Sequence, residues 1–588
     1  MRFIAAIISF VIAFGLIAYG IAQRTVLAEA DSITASETLT TNAPVTIVNS
    51  STLKSLPGRQ QIHISGAKKI FAAYGRTEDV MAWVGDARYN RVGFNSEKST
   101  LTSRLVAGKS SSVPNPRGSD LWLDEFSETN NLDFTVNVPD GISVIIVSDG
   151  TSAAPSDLSI RWPLDNRTPW SGPLIVGGIV LLILGLALYL WGLAHLRRSR
   201  GPRRKTPKMP KVPRQRSYRP RKPKTLVPSG SRRSNRRRMV AIIPVLLIGG
   251  LTLSGCSPAS WPDFASGAAS ATPTPSAPAA VVNDTPPAVT SPQLRVILSR
   301  ISAVAAKADA DKDVELAKTR FDGAALDLRA ANYAIRNVDG TQAALAAIPA
   351  SIATVILPQQ QKADKWPRVV FTVVQNPTDK KVPPVGLMLE QTTPRSAYKV
   401  KYATALEAKV VLPKLAAKEV GAPRTDPNGK LLELAPSKIA LAYGDILEKG
   451  PTSASSKYFD TSNDKLIGLI GVENRKERQA KVAGSKGKME FANAAGPYDS
   501  IGLGSNDSGA IIAVYLTETV TVTPVEAGAA VNTEGQVKSL SGVIGSTKGT
   551  VAVYGDQLLF YVPTSTNSKQ KISLLGFASG LISAKELP

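Results

Sequence analysis

The feature that most constrains this chain is a lipoprotein-type signal pattern that lies in its middle instead of at its start. Three arginines at 236–238 are followed by a short, mostly apolar run that ends at a cysteine. A basic flank, a short apolar core and a small-residue cleavage site are typical of a signal peptide, whereas a spanning helix needs about 20 apolar residues. We therefore predict a lipoprotein signal at 239–256 with Cys256 as the lipidated residue, and a third transmembrane helix is the alternative. The predicted lipobox before the cysteine consists of Leu253, Ser254 and Gly255.

The cysteine and histidine content restricts the chemistry that the chain can perform. Cys256 is the only cysteine, and the two histidines, His63 and His195, both precede it. A single acylated thiol leaves no intramolecular disulfide and no thiolate for zinc or for nucleophilic catalysis. A chain without histidine after residue 195 also lacks imidazole for general acid–base catalysis in its back half. We therefore expect no metal and no cofactor.

Two longer apolar runs are expected to cross the membrane. Residues 1–24 predict a transmembrane helix or signal anchor, and residues 173–196 predict a transmembrane helix with aromatic side chains near both ends. Residues 197–238 then hold 19 Lys or Arg and no acid, so the rest of the chain accounts for only +5 of the net charge of +24. The positive-inside rule places this loop in the cytoplasm and the folded parts on either side of it outside the cell membrane.

The basic loop is rich in Pro, Arg and Lys and has too little apolar surface to fold, so we expect it to be disordered. Its expected partner is the membrane, where anionic lipid head groups contribute roughly 1 kcal/mol per basic residue near the surface. Because aromatic residues are not interleaved with the basic ones, we expect no nucleic acid as a partner.

Residues 31–170 are predicted to form an extracytoplasmic β-sandwich. Short apolar runs alternate there with clusters of Gly, Pro, Asn and Ser, which is the pattern of strands joined by turns. One helix is predicted around 77–84, with Thr77 and Asp79 available as N-terminal caps. The predicted strands are 45–48, 60–64, 121–126, 134–138 and 142–147.

The back of the chain is predicted to be a disordered tether followed by an α+β domain. Residues 257–291 are rich in Ala, Ser, Thr and Pro, a composition that stays extended. Helical periodicity from residue 292 gives way to strand patterns, and the same succession returns later in the chain. This repetition predicts two similar units, 292–430 and 431–588, each with helices on one face of an antiparallel sheet. The later segments with clear patterns are strands 368–374, 385–390, 398–406, 510–522, 550–554, 557–562 and 571–575, and helices 436–447 and 465–480.

Three aspartates, Asp309, Asp311 and Asp313, form two overlapping Asp-x-Asp patterns. Two carboxylates at this spacing can hold a divalent ion against a diphosphate, so an envelope glycosyltransferase-like enzyme is the alternative function. A calcium loop is excluded because Val314 stands where such a loop requires glycine. We prefer the interpretation that Asp311 or Asp313 caps the second helix, since acids in the first turn suit the helix dipole.

Six short segments carry a resemblance to known proteins. They are Ala72-Ala73-Tyr74-Gly75, Asp79-Val80-Met81-Ala82-Trp83-Val84, Leu121-Trp122, 144–150, Trp366-Pro367-Arg368 and 576–587. With these segments the chain resembles actinobacterial membrane-anchored lipoproteins that have no assigned function. The resemblance implies a β-rich ectodomain and an α+β lipoprotein domain of the nuclear-transport-factor-like or cystatin-like class. It implies no catalytic residue.

The sequence therefore predicts a multi-domain, non-enzymatic membrane lipoprotein of the cell envelope, which binds or scaffolds an envelope protein or glycan outside the membrane. Two or three helices without buried charges cannot line a transport pathway, which excludes a transporter. Cleavage before Cys256 is expected to release the front half as a separate membrane piece.

Overall fold

The computed structural model describes residues 2–27, 30–40, 42–164, 168–199, 286–360, 365–408, 410–567 and 569–588. These residues fall into two compact units. One holds two apolar helices, and the other joins residues 34–161 to the C-terminal domain, which we define as the described part of 286–588. The lipobox with Cys256, the basic loop after residue 199 and the predicted tether up to residue 285 lie outside the described residues.

The strands that follow the first helix, α1 (Arg2–Arg24), form one eight-stranded mixed sheet, which we call the front sheet. Its strands are β1 (Ser32–Thr38), β2 (Val45–Asn49), β3 (Gln60–Arg76), β4 (Tyr89–Asn95), β5 (Thr100–Val106), β6 (Asp124–Val136), β7 (Ile142–Val147) and β8 (Asp157–Pro163). Their order is β1-β8-β3-β7-β2-β4-β5, and β6 pairs with β3. The strands β2 and β4 are parallel. Two short helices connect strands of the sheet: α2 (Ser50–Leu53) lies between β2 and β3, and α3 (Thr77–Val84) lies between β3 and β4.

The strands of the predicted β-sandwich over 31–170 are present and belong to one hydrogen-bonded sheet. The long strand β3 pairs with β8 along its first half, with β7 along its second half, and with β6 along both. The register shifts between Ile64 and Ala67, where Gly66 has a φ of +85° and a Cβ atom would lie 2.0 Å from the Ser156 hydroxyl. One strand thus serves both parts of the sheet, because glycine allows it to change neighbours without ending.

The predicted strands 121–126 and 134–138 are parts of one long strand, β6, which ends at Val136. The helix 77–84 and the strand 142–147 are confirmed residue for residue. The predicted strand 121–126 belongs to β6 only from Asp124 onward, because Leu121 and Trp122 lie in the turn before it. Both are buried in the front core, where the ring of Trp122 lies 5.5 Å from that of Trp83.

The helices predicted at 1–24 and 173–196 are both present, as α1 and α4 (Ser171–Ser199), and both are long and apolar enough to cross a membrane. They pack against each other in antiparallel fashion. A Cβ atom on Gly178 would lie 2.9 Å from the Ala13 carbonyl oxygen, and one on Gly185 would lie 3.1 Å from the ring of Phe10. Glycine therefore permits the close approach, as is common between membrane helices.

The C-terminal domain contains a ten-stranded sheet with helices on its two halves. The first half comprises α5 (Ser291–Asp311), α6 (Val314–Lys318), α7 (Gly323–Val338), β9 (Ile352–Pro358), β10 (Arg368–Val374), β11 (Val385–Gln391) and β12 (Lys399–Leu406). The second half begins with α8 (Pro436–Lys449), β13 (Phe459–Asp460), α9 (Lys465–Ile470) and α10 (Val472–Gly484). It ends with β14 (Gly487–Ala495), β15 (Ile501–Gly504), β16 (Ala510–Pro524), β17 (Val531–Asn532), α11 (Gly535–Ser541), β18 (Gly545–Ser546), β19 (Thr550–Val562) and β20 (Ile572–Glu586).

The two predicted α+β units share this one sheet instead of having one each. Its main order is β14-β16-β19-β20-β12-β11-β10-β9, so the halves meet where β12 pairs with β20. That junction is short, with Ala405 opposite Phe577 and Leu406 opposite Gly576. A Cβ atom on Gly576 would lie 2.5 Å from the Ala405 carbonyl oxygen, so the junction requires glycine.

Three large apolar cores hold the C-terminal domain together, and a smaller cluster contains Ile335, Ala552 and Leu581. The helices of the first half cover a core that includes Leu298 and Phe321, and those of the second half cover one that includes Tyr443 and Phe560. A middle core contains side chains from both halves, among them Phe371, Tyr402, Tyr515 and Leu559. Because this middle core draws on both halves, neither half buries its apolar surface without the other.

Candidate functional site

The largest group of buried charges in the described chain lies between the front sheet and the C-terminal domain. We call this contact the interdomain interface. It is built around two carboxylates of the front sheet, Asp79 and Asp120, which meet arginines of the C-terminal domain. Removing a charge from water costs several kcal/mol, so buried charges persist only where they are paired and hydrogen-bonded.

The first ion pair of the interface joins α3 to β10. Arg368 donates to the Asp79 carboxylate at 2.6 Å, and the two side chains are only 3% and 2% exposed. The Arg368 guanidinium also lies 3.9 Å from the ring centre of Trp366, whose indole packs against the front core. The Asp79 position is fixed because α3 starts directly where β3 ends.

The second group surrounds Asp120, whose side chain is completely buried. Arg320 donates to both of its carboxylate oxygens, at 2.5 and 3.2 Å, and the backbone N–H of Tyr398 donates to one of them at 2.8 Å. Arg300 adds a contact at 3.2 Å and reaches Glu125 at 3.4 Å. Forked arginine–carboxylate pairs of this kind fix geometry as well as charge.

Backbone carbonyls of the front sheet complete the interface. Arg395 donates to the carbonyl oxygens of Trp83 and Val84, at 2.8 and 2.9 Å, where the C-terminal end of α3 favours a cation. Gln293 donates to the Leu121 carbonyl oxygen at 2.9 Å. The turn before β6 is therefore held by the C-terminal domain.

Burial shifts the ionisation of two further groups at the interface. Arg76 donates to the Pro287 carbonyl oxygen at 2.5 Å, and burial lowers the pKa of its guanidinium, an effect that the Asp79 carboxylate partly offsets. Burial also raises the pKa of the Tyr398 hydroxyl, because the phenolate would lose its hydration. Tyr398 therefore remains neutral, and the neighbouring Asp79 carboxylate favours the charged form of Arg76.

The sequence does not predict this interface, although several of its residues lie in the segments described above. Asp79 is predicted as a helix cap, but the helix begins after Arg76 without a side-chain cap, and Asp79 pairs with Arg368 instead. The signal that was available is the position of Arg368 next to a run of buried apolar residues in β10. An arginine that is buried beside such a run needs an acidic partner, because arginine is almost never fully buried unless it is paired.

The acid run at 309–313 is distributed among separate protein partners. Asp309 accepts hydrogen bonds from the Tyr333 hydroxyl and pairs with the buried Arg329 at 3.3 Å. Asp311 pairs with Lys307 on the helix surface at 2.7 Å. Asp313 accepts from a backbone N–H in the first turn of α6 at 3.0 Å, so the predicted cap is confirmed at this position.

An open groove of about 730 Å³ lies beside β9, the last strand of the sheet. Apolar side chains line most of it, with Arg295 and Lys418 as its basic residues. The apolar positions include Ile352, Val355, Leu412 and Leu415.

Among the described residues, no group of three or more His, Cys, Asp or Glu side chains could hold a metal ion. The predicted lipidation residue Cys256 and the lipobox residues before it lie outside the part of the chain that the structure describes.

Comparisons with known proteins give a family for the C-terminal domain. The family model for a domain of unknown function, DUF8094, matches residues 285–586, which is just over half of the chain. Neither a search of curated proteins nor a search of solved structures found a match. All arginines of the interdomain interface that pair with Asp79 and Asp120 lie within the matched region.

Proposed function

We propose, from the premise that this chain belongs to the DUF8094 family over residues 285–586, that it is a non-enzymatic lipoprotein of the cell envelope. In this proposal the front sheet and the C-terminal domain lie outside the membrane and bind or scaffold an envelope protein or glycan. The observation that carries the proposal is the interdomain interface. Its buried charged residues are used to assemble two domains into one body, which is the requirement of a scaffold.

Two membrane attachments support the envelope location. The antiparallel pair α1 and α4 is long and apolar enough to cross a membrane twice. The basic residues that follow α4 in the sequence would keep the loop 197–238 on the cytoplasmic side, where anionic lipid head groups bind it. Acylation of Cys256 would then hold the C-terminal domain at the outer surface, with two or more acyl chains giving stable attachment.

The glycosyltransferase-like alternative depends on a metal held by the acid run 309–313. Each of its aspartates has a different protein partner: Asp309 pairs with Arg329, Asp311 with Lys307, and Asp313 caps α6. Carboxylates that neutralise arginine and lysine or cap a helix are not arranged around a shared ion. The non-enzymatic proposal is therefore the better supported one.

We also infer that the C-terminal domain consists of two similar units, as the sequence pattern predicts. Each half contributes three helices before four main antiparallel strands, β9 to β12 in the first half and β14, β16, β19 and β20 in the second. The last main strand of each half forms the junction between them. This arrangement supports the resemblance to nuclear-transport-factor-like or cystatin-like folds and to actinobacterial lipoproteins.

Nucleotide release by the full chain tests the choice between scaffold and enzyme. Full-length protein in detergent is incubated with manganese and a set of nucleotide sugars, and free nucleotide and the thermal transition are measured. The proposal expects no release and no manganese-dependent shift. Release that is lost in Asp311→Asn, a substitution on an exposed ion pair, would establish the enzyme instead.

Reporter fusions test the topology. Fusions after Thr151 and after Pro262 are expected to report export, and a fusion at Ser217 is expected to report the cytoplasm. Export of the Ser217 fusion would refute the placement of the basic loop.

A further inference from the structure

The interdomain interface connects two parts of the chain that the sequence separates by a processing site. Its front side ends at Arg161, and the described part of its C-terminal side begins at residue 286. The segment between them contains the predicted lipoprotein cleavage position before Cys256. The contact that joins the two parts therefore does not include the peptide bond that processing would break.

Each side of the interface has the core that a separate chain would need. The front sheet buries Trp83, Trp122 and Phe71 in one cluster, and the C-terminal domain has large cores of its own. The side chain of Trp366 is the main apolar contribution of the C-terminal domain to the front core. Folding of either side thus does not depend on sharing strands with the other, because the two sheets are separate.

We propose that the interdomain interface is an assembly interface between two polypeptides, and that the mature protein is a non-covalent complex of the front piece and the acylated C-terminal piece. The inference rests on the proposed lipoprotein processing. It replaces the expectation that cleavage releases the front half. The surface around Asp79 and Asp120 is specific for a DUF8094 domain with arginines placed like Arg320 and Arg368.

The arrangement of charges gives this surface its specificity. The front sheet presents Asp79, Asp120 and Glu125, and the C-terminal domain presents arginines to all three. In the assembled protein these charges are removed from water, so a partner without arginines at these positions would leave the carboxylates buried and unpaired. The carboxylates of these ion pairs all lie on the front side and their arginines all lie on the C-terminal side, so two identical pieces could not form them.

The test is an engineered cut in the full chain. A specific protease site is inserted between residues 266 and 278, the front piece and the C-terminal piece carry different affinity tags, and the folded protein is cut in detergent. The two pieces are expected to be retained together on either tag at micromolar concentration. Elution of the wild-type pieces as separate species would overturn the inference.

Two variants show whether the charged contacts hold the pieces. Asp120→Arg is expected to separate the cut pieces, and Arg300→Glu, at a partly exposed position that is less critical for folding, should weaken their association at least about tenfold. The control is Asp124→Arg, an exposed carboxylate that accepts only the N–H of its neighbour. Wild-type association in both interface variants, or equal loss in the control, would contradict the assignment.

The outcome is separable from that of the proposed function. A single full-length chain without acyl label in cells would refute the processing and leave the engineered complex intact. Separation of the engineered pieces would refute the assembly interface and leave the lipid anchor intact.

Discussion

Removing the Arg368 side-chain charge is the perturbation whose consequence follows most directly from the geometry. Arg368→Met keeps the volume near Trp366 but leaves the Asp79 carboxylate, 2% exposed, without its cation at 2.6 Å. Breaking a buried ion pair by removing one partner costs about 3–5 kcal/mol. Because about 1.4 kcal/mol corresponds to a tenfold change, the cut pieces should associate roughly 140- to 3,700-fold more weakly.

The assay is the association of the protease-cut pieces, measured by titrating one labelled piece with the other. Arg368→Met combined with Asp79→Leu should recover most of the loss, because neither charge is then buried alone. The control, Lys476→Met, removes an exposed pair with Glu473 at 2.9 Å and should leave association unchanged. Association of Arg368→Met within a factor of ten of wild type, or no recovery in the double variant, would refute the reasoning.

Three further predictions concern the remaining parts of the chain. Asp309→Asn should lower the free energy of unfolding by about 2–4 kcal/mol, because it leaves the buried Arg329 without its counter-charge. Asp311→Asn, which removes only an exposed pair, should lower it by less than about 1 kcal/mol. Urea denaturation of the full chain measures both values. Burial raises the pKa of the Asp556 carboxyl to about 7, so the stability that its protonated form contributes is complete below about pH 4 and is lost as the pH rises toward 7. Asp556→Asn should therefore become more stable relative to wild type over that interval, by up to about 4 kcal/mol. A stability difference between the two proteins that does not change with pH would exclude this role of Asp556. Gly178→Leu should lower the melting temperature of the helix pair in detergent, while Gly177→Leu, where a Cβ atom meets nothing within 4 Å, should not; equal effects would show that α1 and α4 do not pack through this glycine.

Local structure could be predicted from the sequence wherever one period dominates a segment. The helix 77–84, the strand 142–147 and the strand 368–374 are found with the predicted bounds, because the helix has apolar residues at helical spacing and the two strands are short runs rich in β-branched residues. The predicted helix 465–480 is instead divided at Gly471, where a Cβ atom would lie 2.3 Å from the Ile467 carbonyl oxygen. The sequence contains Gly471, but the break in the helix follows from its close contact with the Ile467 carbonyl oxygen, which the sequence does not show.

The connections between distant segments could not be predicted in the same way. The change of neighbours along β3 depends on Gly66 lying against Ser156, ninety residues later in the chain. The role of Asp79 also depends on Arg368, 289 residues away in sequence, whereas its local pattern predicts only a helix cap. Charge pairing across long separations leaves no period in the sequence.

The most direct test of the central claim is the composition of the mature protein isolated from cells. Full-length protein with a tag on the front piece is expressed with a lipid-label precursor, purified in mild detergent, and analysed by native and denaturing separation. We expect one complex in detergent that resolves into two polypeptides when denatured, with the acyl label on the piece that begins at Cys256. A single unlabelled 588-residue polypeptide, or a front piece isolated without its C-terminal partner, would contradict the account.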